Sequence, residues 1–106
     1  VIDVHRVVVA IDPGHIVHPD AVKAQIESGV VWALSMVMYE EITIKDGRVE
    51  QTNFTDYPVA RLADIPQKVE SVLVPSGGFW GGVGEPPIAA VTPALCNALF
   101  AATGKR

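Results

Sequence analysis

Residues 4–12, VHRVVVAID, end in an unbroken apolar run from Val7 to Ile11. A run with no polar alternation predicts a strand buried on both faces. It stops at Asp12-Pro13-Gly14-His15, where Pro presets φ and Gly accepts a positive φ, as a type II turn requires. Pro19 and Asp20 then open a helix to about Met38, with an acid at the positive end of its dipole. At about 100° per residue, Asp20, Lys23 and Glu27 form one narrow polar stripe. The second half, VVWALSMVM, is apolar all round, which predicts a helix enclosed on most sides. EITIK-DG-RVEQ (41–51) reads as a hairpin on a type I′ Asp46-Gly47 turn. Ile42 and Ile44 alternate with Glu41, Thr43 and Lys45, so one of its faces should be wet. A loop with Tyr57-Pro58 and Ile65-Pro66 leads to a short strand near Val69–Val74 and then to the glycine-rich GGFWGGVG (77–84). The last helix opens after Glu85-Pro86-Pro87 or at Thr92-Pro93 and stops at Gly104. These elements predict an α+β class: a mixed sheet with two main buried helices.

Composition sharpens that picture. The chain has 106 residues, which allows one domain at most, and a net charge of −4, which argues against nucleic acid or an anionic membrane surface as partner. Apolar residues make up 49% against 19% charged, so disorder is excluded. The apolar excess is large for a small domain, which needs polar residues to cover its exposed surface. The chain should pack against something else or be a piece of something larger. The single Cys96 excludes an internal disulfide framework, and its alanine-rich setting predicts a buried, inert thiol. No basic segment followed by an apolar core opens the chain, leaving the bacterial cytoplasm and periplasm both open as compartments. The uncharged stretch between Glu85 and Lys105 approaches the roughly 20 residues of a bilayer helix. Pro86, Pro87 and Pro93 interrupt it and Ala dominates, so a buried helix of a larger protein is expected, not a membrane span.

Glu85 is the sole charge from Ser71 to Thr103, set between a glycine-rich loop and an apolar helix. Glycines let backbone approach a ligand closely, and a helix N-terminus offers unpaired N–H groups. A carboxylate desolvated there is a stronger base, suited to general-base work; it could equally be a first-turn acid stabilised by the helix dipole. The loop is no nucleotide fingerprint, because after Gly82 and Gly84 the third glycine of G-x-G-x-x-G falls at Pro87. Gln25 lies about 140° from Asp20 on the helix, away from the polar stripe. Its amide needs partners, either a ligand in the space above Gly29 or neighbouring main chain. Asp12, His15 and His18 recur at three-residue intervals, but the loop fixes no geometry and no Cys or Glu completes a metal set. Hydrogen-bonding histidines are expected there. Trp32, Phe54, Tyr57, Phe79 and Trp80 default to packing, with Phe79 and Trp80 the exceptions to watch because their loop leads to Glu85.

Two stretches, AVKAQIESGVVWALS (21–35) and GGVGEPPIAAVTPALCNALFAATGKR (81–106), resemble the C-terminal part of the molybdopterin-binding subunit of the xanthine dehydrogenase/aldehyde oxidase family. DGRVEQTNFTDYPVARLADIP (46–66) also fits, nearest to the isoquinoline 1-oxidoreductase and bacterial aldehyde dehydrogenase branch. The resemblance covers nearly the whole chain, and G-V-G-E-P-P with its Ala-rich helix is its most specific string. It implies that Glu85 is the general base, taking the proton from the water-derived oxygen that attacks an electron-poor carbon. It implies that Gln25 hydrogen-bonds the pterin, with Gly82 and Gly84 shaping the backbone beside the metal. No residue of this chain is assigned as a metal ligand. Bacterial members of the branch usually carry the cytosine dinucleotide form of molybdopterin with molybdenum, and pass electrons to iron–sulfur clusters or haem on partner chains. Ser28 stands where the family often has Gly, and His18 where Asn is common.

Family subunits are several times longer, so residues 1–106 are expected to be one segment of a larger molybdopterin-binding domain, incomplete as a catalyst alone. Its implied partners are the remainder of the molybdenum subunit, an iron–sulfur electron-transfer subunit, and an aldehyde or N-heteroaromatic substrate. A competing reading is a non-catalytic, self-associating or cofactor-binding module. A minor one is a phosphate binder using the loop at 77–84.

Overall fold

The computed structural model describes residues 2–105. Strand β1 (Arg6–Ile11) leads through the Asp12–His15 turn into helix α1 (Pro19–Met38). The hairpin β2 (Ile44–Lys45) and β3 (Arg48–Val49) follows, then a 3-10 turn at Leu62–Asp64, strand β4 (Lys68–Leu73) and helix α2 (Pro86–Thr103). β1 and β4 pair in parallel, from Arg6 opposite Lys68 to Ile11 opposite Leu73. Parallel neighbours need a long crossover, here α1 and the hairpin. The parallel and antiparallel pairs stand as two separate two-stranded sheets, and the α+β class with two main helices holds.

The helix ends follow local chemistry. His18 Nδ1 accepts from the Ala21 N–H at 3.1 Å, capping α1 ahead of Pro19. Gly104 closes α2 in the left-handed region, its N–H donating to Phe100 O at 2.8 Å. α2 starts at Pro86 and runs through Pro93, which lacks an N–H and so removes one i→i−4 bond without ending the helix. Asp46 (φ 49°) and Gly47 (φ 74°) both take positive φ, as the type I′ turn demands.

One face of α1 carries the core: Val22, Ile26, Val30, Ala33 and Leu34 are buried together with Val91 of α2. Val7, Val9 and Ile11 of β1 and Val69 and Leu73 of β4 pack on that cluster from the sheet side. Ile26 and Val30 are fully enclosed, each contributing roughly 1.5–3 kcal/mol.

Beyond this cluster the enclosure predicted from the sequence is not supplied by the chain itself. β1 alternates exposed and half-buried positions, because one layer only lies against the sheet, and Val8 and Val72 on its other face are 49% and 46% exposed. Trp32, Met36 and Val37 of α1 are exposed, and so are both faces of the hairpin, with Ile42, Ile44 and Val49 more than half accessible. Cys96 is exposed rather than buried, since only Pro87 and Val91 of α2 are buried. By length and composition alone α2 is long and apolar enough for a membrane span, as the core helix of a larger soluble protein also is. The accessible surface is 7627 Å², against about 5,700 Å² for a compact domain of this mass. The radius of gyration is 16.2 Å, against about 13 Å for a compact chain of this length.

Candidate functional site

The glycine-rich loop is bound to the turn after β1. Asp12 Oδ1 accepts from the Gly14 N–H at 2.9 Å, from the Ser76 N–H at 3.1 Å and from the Ser76 hydroxyl at 3.0 Å. The Gly77 N–H donates to Gly14 O and the Gly81 N–H to Pro13 O, both at 2.9 Å. Gly14, at φ 78°, lies so close to the loop that a Cβ would sit 2.1 Å from Phe79 O. No other residue fits there. The His15 and Trp80 rings stack at 5.1 Å between centroids. The backbone donors of Gly14 and Ser76, with the Ser76 hydroxyl, hold the Asp12 carboxyl below the usual carboxylate range.

The same packing brings the segments bearing the predicted site residues together. Gln25 is exposed at the edge of the buried stripe of α1, a correction to its expected burial: the neighbouring loop leaves a pocket of about 280 Å³ in front of it instead of covering it. That pocket is lined by Gln25 with His15, Val22, Trp80, Gly81 and Val83. The Gln25 side chain makes no hydrogen bond among the described residues, so the main-chain partner weighed as one of its alternatives is absent. One turn on, the space above Gly29 is filled by Pro87, whose Cβ lies 3.0 Å from where a Gly29 Cβ would be. Pro87 is two residues from Glu85. A Cβ built on Gly82 or Gly84 meets nothing within 4 Å, so both backbones are open to approach.

Glu85 is the N-cap of α2 and is exposed, and its side chain makes no capping hydrogen bond. The desolvation expected of it is not provided by these residues. Nor does α2 offer the unpaired donors expected of a helix start: Pro86 and Pro87 have no N–H, and the N–H of Ile88 donates to Glu85 O at 2.9 Å. A phosphate cradle at this terminus therefore lacks its donors. Asp12, His15 and His18 occupy separate roles, as loop anchor, ring partner of Trp80 and helix cap. Sequence reasoning missed the importance of Asp12, Ser76 and Pro87, which act across contacts of up to 64 residues that leave no local pattern.

A second, open cleft of about 770 Å³ lies between α1 and residues 59–69, bordered by Glu27, Ser28, Trp32, Glu40 and Ile65. Two of its polar side chains, Ser35 and Glu40, are bonded to each other. Glu40 accepts from the Ser35 hydroxyl at 2.6 Å and from the Tyr57 hydroxyl at 2.9 Å, which raises the Tyr57 phenol above its ordinary range. None of the predicted site residues borders it.

With this geometry established, comparison with known proteins places the chain. The profile of the molybdopterin cofactor-binding domain matches residues 1–66. Over 106 residues the chain is 37% identical to the membrane-bound aldehyde dehydrogenase [pyrroloquinoline-quinone] of Gluconacetobacter polyoxogenes, covering all of this chain and 14% of that protein. It is 36% identical over 104 residues to the beta subunit of isoquinoline 1-oxidoreductase of Brevundimonas diminuta, covering 98% of this chain and 13% of that one. A solved Cu,Mo carbon monoxide dehydrogenase shares the fold over 88% of this chain and 12% of its own, with a TM-score of 0.77 and 24% identity. The chain thus spans about one-seventh of the relatives it matches. It belongs to the molybdopterin cofactor-binding domain family.

Proposed function

We propose that residues 1–106 are one segment of the molybdopterin-binding domain of a molybdenum hydroxylase, which oxidises an aldehyde or N-heteroaromatic substrate with oxygen taken from water. The observation that carries this reading is the family match over residues 1–66 joined to the Gln25 amide, which makes no hydrogen bond among the described residues and lines the pocket beside the loop that leads to Glu85. The donor set fits a pterin: an amide supplies one donor group and one acceptor, matching the mixed edge of such a ring. Gly82 and Gly84, with nothing above them, let main-chain groups come within hydrogen-bond reach of the same ligand. When bound, the molybdenum cofactor supplies the two-electron oxidation. Gln25 orients it from α1, and the Glu85 carboxylate takes a proton from the attacking water-derived oxygen as the new bond to carbon forms.

Glu85 is exposed in this chain, so the water exclusion that sharpens its basicity is assigned to the remainder of the subunit. The cytosine dinucleotide form of the cofactor, and electron transfer through iron–sulfur clusters or haem on a partner subunit, complete the reading. Glu85→Gln in the assembled enzyme tests it. Loss of turnover with molybdenum content unchanged is expected; near wild-type turnover with a full molybdenum load overturns the role of Glu85. Metal analysis of the same preparation separates a molybdenum enzyme from one using a quinone cofactor, the group named for the Gluconacetobacter relative. The large exposed apolar area favours one other reading, a non-catalytic self-associating module. A metal-free chain that sediments as a homo-oligomer would support it.

A further inference from the structure

We infer that Asp12 is a positioning residue, whose carboxylate latches the turn that launches α1 and Gln25 to the loop that carries Gly82, Gly84 and Glu85. The inference rests on the proposed function for its consequence, but the latch itself stands on geometry. One oxygen, Asp12 Oδ1, receives all three donors, from Gly14 within the turn and from Ser76 N and Oγ across it. Around it the two backbones are stitched directly, Val74 N–H to Ile11 O, Gly77 N–H to Gly14 O and Gly81 N–H to Pro13 O, each at 2.9 Å. The first of these continues the β1–β4 ladder. The other two exist only because the loop folds back over the turn.

Ser76 closes the arrangement, since its hydroxyl donates to Asp12 and also accepts from the Gly78 N–H at 3.2 Å. Removing the carboxylate therefore strips the Ser76 N–H and hydroxyl of their acceptor and leaves Gly14 without its intraturn bond. Gln25 and Glu85 sit on opposite sides of this seam: Gln25 six residues beyond Pro19 on α1, Glu85 four residues beyond Gly81. Neither touches Asp12, so its effect on the reaction is indirect, through the angle between the two segments.

The test compares Asp12→Ala, Asp12→Asn and Ser76→Ala in the assembled enzyme. Amide hydrogen exchange over residues 76–84 reads the latch without reference to activity. Asp12→Ala should speed exchange at Gly77 and Gly81 by about tenfold or more, the scale expected on losing the acceptor of several hydrogen bonds. Asp12→Asn keeps an acceptor oxygen and should restore exchange to within about threefold of wild type, with Ser76→Ala falling between the two. Turnover should follow the same order through kcat, with KM and overall melting temperature little changed. Unchanged exchange in Asp12→Ala overturns the latch, as does an Asn variant as fast as the Ala variant. Faster exchange with kcat intact in a molybdenum-loaded enzyme overturns the positioning role. An enzyme that holds no molybdenum defeats the proposed function instead, and the exchange series still decides the latch. If Asp12→Ala fails to assemble, Ser76→Ala against wild type gives the same decision.

Discussion

Gly29→Ala pits a local gain against a displacement of the site. In the middle of α1, alanine is favoured over glycine by about 1 kcal/mol, and a methyl buried there adds roughly 0.8 kcal/mol. Against this, the new Cβ would lie 3.0 Å from Pro87 Cβ and 3.3 Å from Pro87 Cγ. Carbon atoms prefer about 3.5–4.0 Å, so α1 and the start of α2 must separate by a few tenths of an ångström. Pro87 is fully buried and its ring is rigid, and overpacking of this kind costs about 1–3 kcal/mol. The terms nearly cancel, so thermal stability should change little. The displacement does not cancel, because Pro86 and Pro87 transmit it stiffly to Glu85. Misplacement by about 1 Å can cost a hundredfold in rate, so a shift of a few tenths predicts a fall in kcat of roughly three- to tenfold. The assay is steady-state turnover of the assembled enzyme, with molybdenum content and melting temperature measured on the same sample. Adding Pro87→Ala to Gly29→Ala should recover part of the loss, a coupling that contacting residues show and distant ones do not. Turnover within about twofold of wild type in Gly29→Ala alone would refute the transmission from α1 to Glu85.

Other outcomes follow from the same geometry. Ser35 is buried and its hydroxyl accepts from the Ala60 N–H at 3.0 Å while donating to Glu40; Ser35→Ala should therefore destabilise the 57–60 segment by about 1–3 kcal/mol, seen as faster amide exchange at Ala60. Asp56 accepts from the N–H groups of Asn53 and Thr52 and from the Thr52 hydroxyl, which hold its carboxyl below the usual range. A depressed acid contributes stability above its unfolded pKa of about 3.9 and loses it as pH falls through the folded value. The loop at 52–57 should thus loosen only in strong acid, and Asp56→Asn should abolish that acid-dependent step in exchange measured against pH.

What the sequence made legible was whatever depends on neighbours within a few positions. The α1 start at Pro19, the type I′ turn at Asp46-Gly47 and the Gly104 stop each rest on one residue's φ or one missing N–H. Glu85 and Gln25 stood out because each breaks the pattern around it, and the roles proposed for them start from that. Hidden from the sequence was everything set by contacts between distant segments. Gly29 suggested open space, and Pro87 fills it. Asp12 stood out only for its three-residue spacing from His15 and His18, and its role as an anchor emerges from Ser76, 64 residues away. Burial was misread for a different reason. An apolar run such as Val7–Ile11 reports the surface a strand is built to bury, whereas this chain covers only one side of it.

The contrast between the two kinds of surface bears on how the proposed subunit is assembled. Around Asp12, the turn and loop satisfy one another through side-chain and main-chain bonds, and nothing outside the chain is needed to hold that seam. The outer face of β1 and β4, the hairpin and α2 show the opposite character: beside the Arg6–Glu70–Lys68 ion pairs the parallel sheet leaves Val8 and Val72 open, the hairpin exposes Ile42, Ile44 and Val49, and α2 exposes Phe100 and Cys96. Parallel sheets are normally covered on both faces, and accessible area beyond the compact expectation by roughly 1,900 Å² is enough for a standard protein–protein interface. On the proposed reading, the seam presets the relative placement of Gln25 and Glu85, and the remaining subunit then closes over the apolar faces and removes water from Glu85. The order has a consequence for variants. Substitutions on the outer face, such as Val8→Asp, should block assembly and lower cofactor content, whereas substitutions in the seam should leave assembly intact and lower kcat.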